Sequence, residues 1–150
     1  MRLFHFECGL TVPRRRAEVF AFFADAANLQ TMTPGWVDFR ILTPGPIVLR
    51  AGALLDYRIR VHGIPLRWRT EITLWEPPFR FVDTQLKGPY SVWRHEHTFE
   101  ETAEGTVCGD RVTYRPRGGW LIDRLFVRRD IDRIFDFRRR CLAEIFRCGA

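Results

Sequence analysis

Two histidines, His95 and His97, stand two positions apart between the aromatic residues Trp93 and Phe99. On a β-strand, residues i and i+2 point to the same face, so the two imidazoles would lie side by side. Because Trp93 and Phe99 should face the interior, the histidines should face it too. An imidazole gains or loses a proton near neutral pH, which suits acid–base chemistry, and its nitrogens can also bind metal ions.

Carboxylates and other polar groups fall on the strand-like segments before and after the histidines. Three neighbouring strands would bring six polar residues together in a single concave region, and this set is called the polar group below. Its members are Asp83, Gln85, His95, His97, Asp110 and Tyr114. Isolated polar groups of this kind cost several kcal/mol each when buried, so they must be hydrogen-bonded or hydrated.

Three interpretations of this polar group remain open. The first is a hydrogen-bond network, or a polar patch that meets a ligand, and it is favoured. The second is acid–base catalysis, in which His95 or His97 is the acid or base and Asp83 or Asp110 orients it. The third is a metal site built from the H-x-H pair and a carboxylate. Since H-x-H on a strand is a weak signal and no cysteine has a matching spacing, we expect no metal and no cofactor.

Aromatic residues are abundant, with 13 Phe, 5 Trp and 3 Tyr in 150 residues. Alternation along Leu54–Val61 and Leu66–Trp75 turns Tyr57, Trp68 and Thr70 inward and leaves the arginines of these segments in solvent. Large side chains on a curved sheet pack a core or line a pocket. The predicted ligand-binding residues are Tyr57, Trp68, Thr70, Asp83, Gln85, Trp93, His95, His97, Phe99, Tyr114 and Phe135.

The order of elements indicates a single α+β domain over residues 1–150. A strand at Phe4–Val12 precedes a helix at Arg14–Ala24 and a short helix from Asp25 to Met32, and the chain ends in a helix at Trp120–Phe146 that Gly149 would stop. Six further strands lie between: Trp36–Leu42, Leu54–Val61, Leu66–Trp75, Arg80–Leu86, Val92–Glu100 and Thr106–Tyr114. Short spacers favour antiparallel pairing, and only the last helix is long enough to cover such a sheet. A sheet curled around it would leave a cavity.

The net charge of +6 comes almost entirely from arginine, since Lys87 is the only lysine. Arginines of the last helix alternate with acids, which predicts a solvated, ion-paired face: Arg124, Arg128, Arg129, Arg133, Arg138, Arg139, Arg140 and Arg147. The alternative is contact with anionic lipid or nucleic acid. We expect no nucleic-acid partner, because the charges are mixed, and no membrane insertion, because no apolar run approaches about 20 residues.

The first seven residues alternate and carry charge, so we expect no signal peptide, and the four cysteines lack metal-site or disulfide spacing. Both observations predict reduced thiols in a cytoplasmic protein.

Several segments are similar to the START-like, or SRPBCC, superfamily and to its ligand-binding, cyclase/dehydrase-like bacterial subgroup. They are Phe81-Val82-Asp83, Gly88-Pro89-Tyr90, Trp93 to Phe99, Asp110 to Tyr114 and Leu125 to Arg129. The resemblance implies a helix-grip fold, in which a seven-stranded curved antiparallel sheet wraps around a long C-terminal helix, with two short helices after the first strand. It also implies a hydrophobic ligand cavity, but no particular reaction, because members include lipid carriers, hormone binders and polyketide cyclases.

We therefore predict non-catalytic binding of a lipid, polyketide or isoprenoid-like ligand between the sheet and the last helix. The alternative is a cyclase/dehydratase-type enzyme that uses His95 or His97 with Asp83 or Asp110. Access would require movement around Asn28–Trp36 or Arg115–Trp120. A homodimer or a partner enzyme is left open by the sequence.

Overall fold

A seven-stranded antiparallel sheet forms the body of the protein in the computed structural model, which describes residues 2–148. The strands are β1 (Phe4–Val12), β2 (Arg40–Ile41), β3 (Leu54–Val61), β4 (Ile64–Glu76), β5 (Arg80–Lys87), β6 (Tyr90–Thr102) and β7 (Gly105–Pro116). Their order across the sheet is β1-β7-β6-β5-β4-β3-β2. Consecutive strands from β2 to β7 are neighbours, and β1 closes the far edge against β7. All of these pairings are antiparallel, as the short spacers predicted for the consecutive strands.

Two short helices, α1 (Arg16–Ala24) and α2 (Asn28–Thr31), follow β1 as predicted. At the other end of the chain lie α3 (Gly119–Ile122), a π-helical turn (Asp123–Val127) and α4 (Arg128–Cys148). These three pieces together are called the C-terminal helix below. The expected stop at Gly149 lies outside the described residues.

The predicted strand Trp36–Leu42 is wrong over most of its length. Pro34 instead leads into a 3₁₀ turn at Gly35–Val37, and Asp38 adopts a left-handed conformation with φ 48°. Within this segment, only Arg40 and Ile41 of β2 pair with the sheet, through β3. The turn buries Val37 and Phe39, and this produces the alternating pattern that resembles a strand. The backbone of the turn does not form sheet hydrogen bonds, so the segment is not a strand.

The sheet is curved, and its ladders are irregular where it bends. Register shifts interrupt the β4/β5 ladder near Thr70 and Thr73 and the β6/β7 ladder near Ser91. Such irregularities bend a strand and increase its twist. The concave face holds three apolar clusters, one of which joins Phe20 and Phe99 to the end of α4 at Leu142 and Phe146.

The C-terminal helix runs from Gly119 to Cys148 without a break, which confirms the predicted long helix, but it contains a π-helical turn at Asp123–Val127 that the sequence did not predict. Gly118 precedes it with φ 104°, and a Cβ there would lie 2.6 Å from Cγ1 of Ile122. The Tyr114 hydroxyl donates to Oδ1 of Asp123 at 2.7 Å, and both side chains are buried. This bond ties the π-helical turn to β7, at the point where one extra residue widens the helix.

Candidate functional site

A cavity of about 370 Å³ lies between the concave face of the sheet and the C-terminal helix. Its wall is mainly apolar and includes residues of both predicted access segments, Asn28–Trp36 and Arg115–Trp120. Eight of the predicted ligand-binding residues line it: Tyr57, Trp68, Thr70, Asp83, Trp93, His95, His97 and Phe135.

An aromatic wall built on β3, β4 and β6 forms one side of the cavity. The Tyr57 and Trp68 rings stack with 5.6 Å between centroids, and Trp93 meets Trp68 edge-on at 5.3 Å. Phe39 packs on Tyr57 at 4.7 Å. Trp68 is buried, and its Nε1 has no hydrogen-bond partner among the described residues. These flat faces suit a planar or acyl ligand.

Four predicted site residues lie away from the cavity lining. Gln85 exchanges two hydrogen bonds with the Tyr90 backbone and so fixes the β5–β6 turn. Phe99 belongs to the apolar cluster beneath α1. Tyr114 is buried with its hydroxyl bound to Asp123, and Asp110 lies behind the histidines.

The two histidines stack face to face, as alternation on β6 predicts. Their ring centroids are 3.7 Å apart, and Phe81 stacks on the opposite face of His97 at 4.2 Å. Phe135 of α4 meets His95 edge-on at 5.4 Å. Both histidines are almost completely buried. The imidazole faces are therefore covered, and only the ring edges are free to interact with polar groups.

Each histidine binds the carboxylate that stands opposite the other histidine in the sheet. Asp83 pairs with His95 across β5 and β6, but its Oδ2 lies 2.7 Å from Nε2 of His97. Asp110 pairs with His97 across β6 and β7, but its Oδ1 lies 2.7 Å from Nε2 of His95. The two remaining nitrogen–carboxylate distances, from His95 Nδ1 to Asp83 and from His97 Nδ1 to Asp110, are 3.8 and 3.7 Å.

Arg138 of α4 completes this network, and the prediction that it belongs to a solvated face is wrong. It is only 7% exposed, with Nη2 3.4 Å from Nδ1 of His97 and 3.9 Å from Oδ1 of Asp110. Its guanidinium also lies over the Phe23 and Phe135 rings. Phe135, Arg138 and Leu142 share one helix face at spacings of three and four, and that spacing is the signal that could have identified it.

The hydrogen bonds define the proton position on His97. A guanidinium only donates, so Nδ1 accepts from Arg138 and Nε2 carries the proton that it donates to Asp83. Burial is the largest influence on His97 and lowers its pKa to about 4, aided by the charge of His95. His97 is therefore neutral at physiological pH.

Both carboxylates are ionised under the same conditions. Burial acts to raise the pKa of Asp83, but the hydrogen bond from His97 and the charge of His95 lower it overall. Burial likewise opposes ionisation of Asp110, but the Arg138 charge and the hydrogen bond from His95 hold its pKa well below the usual range.

Asp83, His95 and His97 are also the described residues that could hold a metal ion, since one ligand atom of each lies within 4.8 Å of the others. A metal at His97 Nε2 would displace the proton that His97 donates to Asp83. It would also leave Nδ1 protonated and facing the Arg138 donor. The donor set fits a cation poorly because the guanidinium already supplies the positive charge, so a site without metal stays our prediction.

Cysteine thiols near the network are free. The Cys8 thiol donates to Oδ2 of Asp110 at 3.7 Å, and burial, followed by the Asp110 charge, raises its pKa to about 12. Burial also raises the pKa of the Cys108 thiol to about 12. Cys141 is free as well, whereas the side chain of Cys148 lies outside the description. These thiols stay protonated and serve as weak donors.

Comparisons with known proteins agree with the architecture. No curated protein sequence matches the chain. Among solved structures, the Zhui aromatase/cyclase from Streptomyces sp. R1128 is 17% identical with a TM-score of 0.74, covering 97% of this chain and 94% of that one. The Thermus thermophilus protein TTHA0849 is 14% identical with a TM-score of 0.75, covering 97% and 99%. The ginseng major latex-like protein 151 from Panax ginseng is 9% identical with a TM-score of 0.71, covering 96% and 97%.

These likenesses show the fold, which is the helix-grip arrangement expected from the sequence. Among residues 2–148, no helix has both the length and the apolar character needed to cross a membrane. A protein family described as polyketide cyclase / dehydrase and lipid transport matches residues 12–140, which is most of the chain. The chain therefore belongs to this family within the SRPBCC superfamily.

Proposed function

We propose that this protein binds a small, largely apolar ligand without transforming it, in the cavity between the sheet and the C-terminal helix. The observation that carries this proposal is the state of the polar network in the cavity wall. Three of its four imidazole nitrogens already bond to Asp83, Asp110 or Arg138. A network satisfied in this way stabilises the wall and leaves few groups free to move protons.

Asp83 is the group that meets the polar end of the ligand. It lines the cavity, and its side chain is 18% exposed, more than either histidine. Its Oδ2 accepts from His97, and no described side chain donates to Oδ1. An ionised carboxylate with a free oxygen accepts a hydrogen bond from a hydroxyl and repels another carboxylate.

The ionised Asp83 carboxylate therefore selects the kind of ligand. A neutral molecule with a hydroxyl group at one end and an apolar or aromatic body fits better than a fatty acid or another apolar carboxylate. Lipid alcohols, hydroxylated polyketide-like molecules and isoprenoid alcohols all meet this description. The aromatic faces of Tyr57 and Trp68 would hold the body.

A matched pair of probes, 2-naphthol and 2-naphthoate, tests the proposal by isothermal titration calorimetry at neutral pH. We expect 2-naphthol to bind with 1:1 stoichiometry and at least about tenfold more tightly than the anion. Asp83→Asn should remove most of this preference, and Asp136→Asn, an exposed acid on α4, should leave it unchanged. Trp68→Ala should weaken both probes. Absence of binding by either probe would contradict the proposal, and equal binding would contradict the role of Asp83.

An enzyme of cyclase/dehydratase type is the second candidate, and one atom favours it. Among the described residues, Nδ1 of His95 is the imidazole nitrogen of the pair with no partner closer than 3.8 Å, so it could exchange a proton with a ligand. This candidate predicts that the protein cyclises or dehydrates a polyketone and that His95→Gln abolishes turnover. Liquid chromatography would detect a cyclised isomer of unchanged mass, and mass spectrometry would detect the loss of one water. If the substrate is unchanged after prolonged incubation, the enzyme candidate is contradicted and only the binding function stands.

A further inference from the structure

An exposed apolar patch lies beside the cavity, at the start of the C-terminal helix. The rim patch is defined here as Trp120, Leu121, Leu125 and Phe126, which are 60, 50, 49 and 50% exposed. Large apolar side chains seldom crowd together on a surface without a partner. The rim patch takes no part in the network or in the binding function proposed above.

Three arginines close to the rim patch in the sequence have no acidic partner among residues 2–148. Arg117, Arg124 and Arg129 are exposed and form no ion pair with any side chain of residues 2–148. The acids of this segment are used elsewhere: Asp123 is buried under Tyr114, and Asp130 lies 2.9 Å from Nε2 of His62. The surface therefore combines apolar side chains with unpaired positive charge.

The same segment also forms part of the cavity wall. Arg117, Ile122 and Val127 line the cavity, and they alternate along the chain with the residues of the rim patch. One face of the segment therefore touches the ligand space while the other faces solvent. A surface that covered the rim patch would lie directly over this side of the cavity.

We propose that the rim patch docks the protein on an anionic lipid surface. Tryptophan and arginine beside exposed aliphatic side chains are typical of segments that lie at a membrane interface. Four half-exposed side chains offer roughly 400 Å², about half of what one partner of a stable protein complex buries. The unpaired guanidinium groups complement lipid phosphates and carboxylates. Docking would bring the cavity to the bilayer, from which an apolar ligand could enter it.

Vesicle co-sedimentation tests the docking without any ligand. The purified protein is mixed at low salt with vesicles of phosphatidylcholine, or of phosphatidylcholine with one-third phosphatidylserine. We expect it to sediment with the anionic vesicles only, and to be released near 1 M salt, where the Debye length falls to about 3 Å. Replacing Arg124 and Arg129 by Gln should weaken binding about fivefold per residue.

A matched pair of phenylalanine variants isolates the rim patch. Phe126→Ser should weaken vesicle binding about tenfold, and Trp120→Ser should act similarly as a second variant. Phe79→Ser, at a phenylalanine that is 54% exposed on another part of the surface, should have no effect. Failure of the wild-type protein to sediment, or equal losses in Phe126→Ser and Phe79→Ser, would overturn the proposal. So would a concentration-dependent dimer in gel filtration that Phe126→Ser dissociates, because a second copy would then cover the patch.

Discussion

Replacing Arg138 by Met tests whether the buried guanidinium holds the polar network together. The variant keeps a long, unbranched side chain under Phe23 and Phe135 but leaves the ionised Asp110 without its cation. Removing one partner of a buried ion pair costs about 3–5 kcal/mol. Two features reduce this figure: the distance from the guanidinium to the Asp110 carboxylate is 3.9 Å, and the buried Nε of Arg138 has no hydrogen-bond partner within residues 2–148. Losing an unsatisfied donor recovers about 1–3 kcal/mol. We expect a net loss of about 2 kcal/mol in the free energy of unfolding.

Urea denaturation followed by circular dichroism at neutral pH measures this loss. Arg140→Met is the control, because Arg140 lies two residues away on the exposed side of α4 and pairs only with Asp136 at 3.3 Å. Its effect should stay below about 0.5 kcal/mol.

A double-mutant cycle with Asp110→Asn then shows where the energy lies. If Arg138 acts through Asp110, the loss of unfolding free energy in the double variant should be smaller than the sum of the losses in the two single variants. The difference should be at least about 1 kcal/mol. Strict additivity would refute the reasoning. Arg138 would then stabilise the protein through its aromatic contacts, and the charge pair would contribute nothing measurable.

Three further predictions concern pH, the C-terminal helix and the buried tyrosine. Because the His97 pKa is lowered from 6.5 to about 4, its neutral form stabilises the fold fully above pH 6.5, and about 3 kcal/mol is lost as the pH falls through this range. His97→Gln should flatten that part of a urea-denaturation pH series, and a slope equal to that of the wild type would contradict the assignment. Gly118→Ala should lower stability by about 1–3 kcal/mol in thermal denaturation, because alanine disfavours the φ of 104° and its Cβ would press on Ile122, and no loss would show that the turn adapts. Tyr114→Phe should cost about 2 kcal/mol in the same assay by leaving the buried Asp123 without its donor, and a loss near zero would mean that solvent reaches Asp123.

The inward direction of the histidines could be predicted from the sequence because strand alternation has a strict period of two. Glu96, between them, points to the other face of the sheet and pairs with Arg80 at 3.2 Å. Once His95 and His97 share a face, strand neighbours decide which carboxylates meet them. The antiparallel order predicted from short spacers supplied Asp83 on one side and Asp110 on the other.

Arg138 could not be predicted from charge pattern alone. Alternating arginines and aspartates are typical of a solvated helix face. Whether one particular arginine is buried depends on which face of the helix it occupies. Arg138 lies on the stripe that contains Phe135 and Leu142, and it can be buried there because the strands supply an ionised carboxylate. That compensation depends on residues almost thirty positions earlier in the chain, so a local pattern does not reveal it.

Strand alternation also failed to predict that Gln85 and Tyr114 lie away from the cavity. Alternation gives the face on which a side chain lies, but not the local bond that withdraws it from the cavity. Gln85 is held by the backbone of the β5–β6 turn, and Tyr114 is covered by the π-helical turn. Both hydrogen-bond partners lie at places where the backbone is irregular, in a turn and in a π-helical segment. Such segments have no sequence periodicity from which these contacts could be predicted.

The placement of Arg138 also indicates how a ligand reaches the cavity. Moving α4 away from the sheet would pull a buried guanidinium from Asp110 and His97, whereas the segment before it starts at two glycines with positive φ and exposes most of its apolar side chains. Segments with few buried contacts open at lower free energy than the core. We therefore expect residues 116–127 to exchange their amide hydrogens faster than residues 131–142, with 2-naphthol slowing exchange in the first segment. Hydrogen exchange with mass spectrometry measures both. Equal protection of the two segments would mean that the cavity opens elsewhere, and the Asn28–Trp36 segment, where Trp36 lies under Arg133, would be the remaining route.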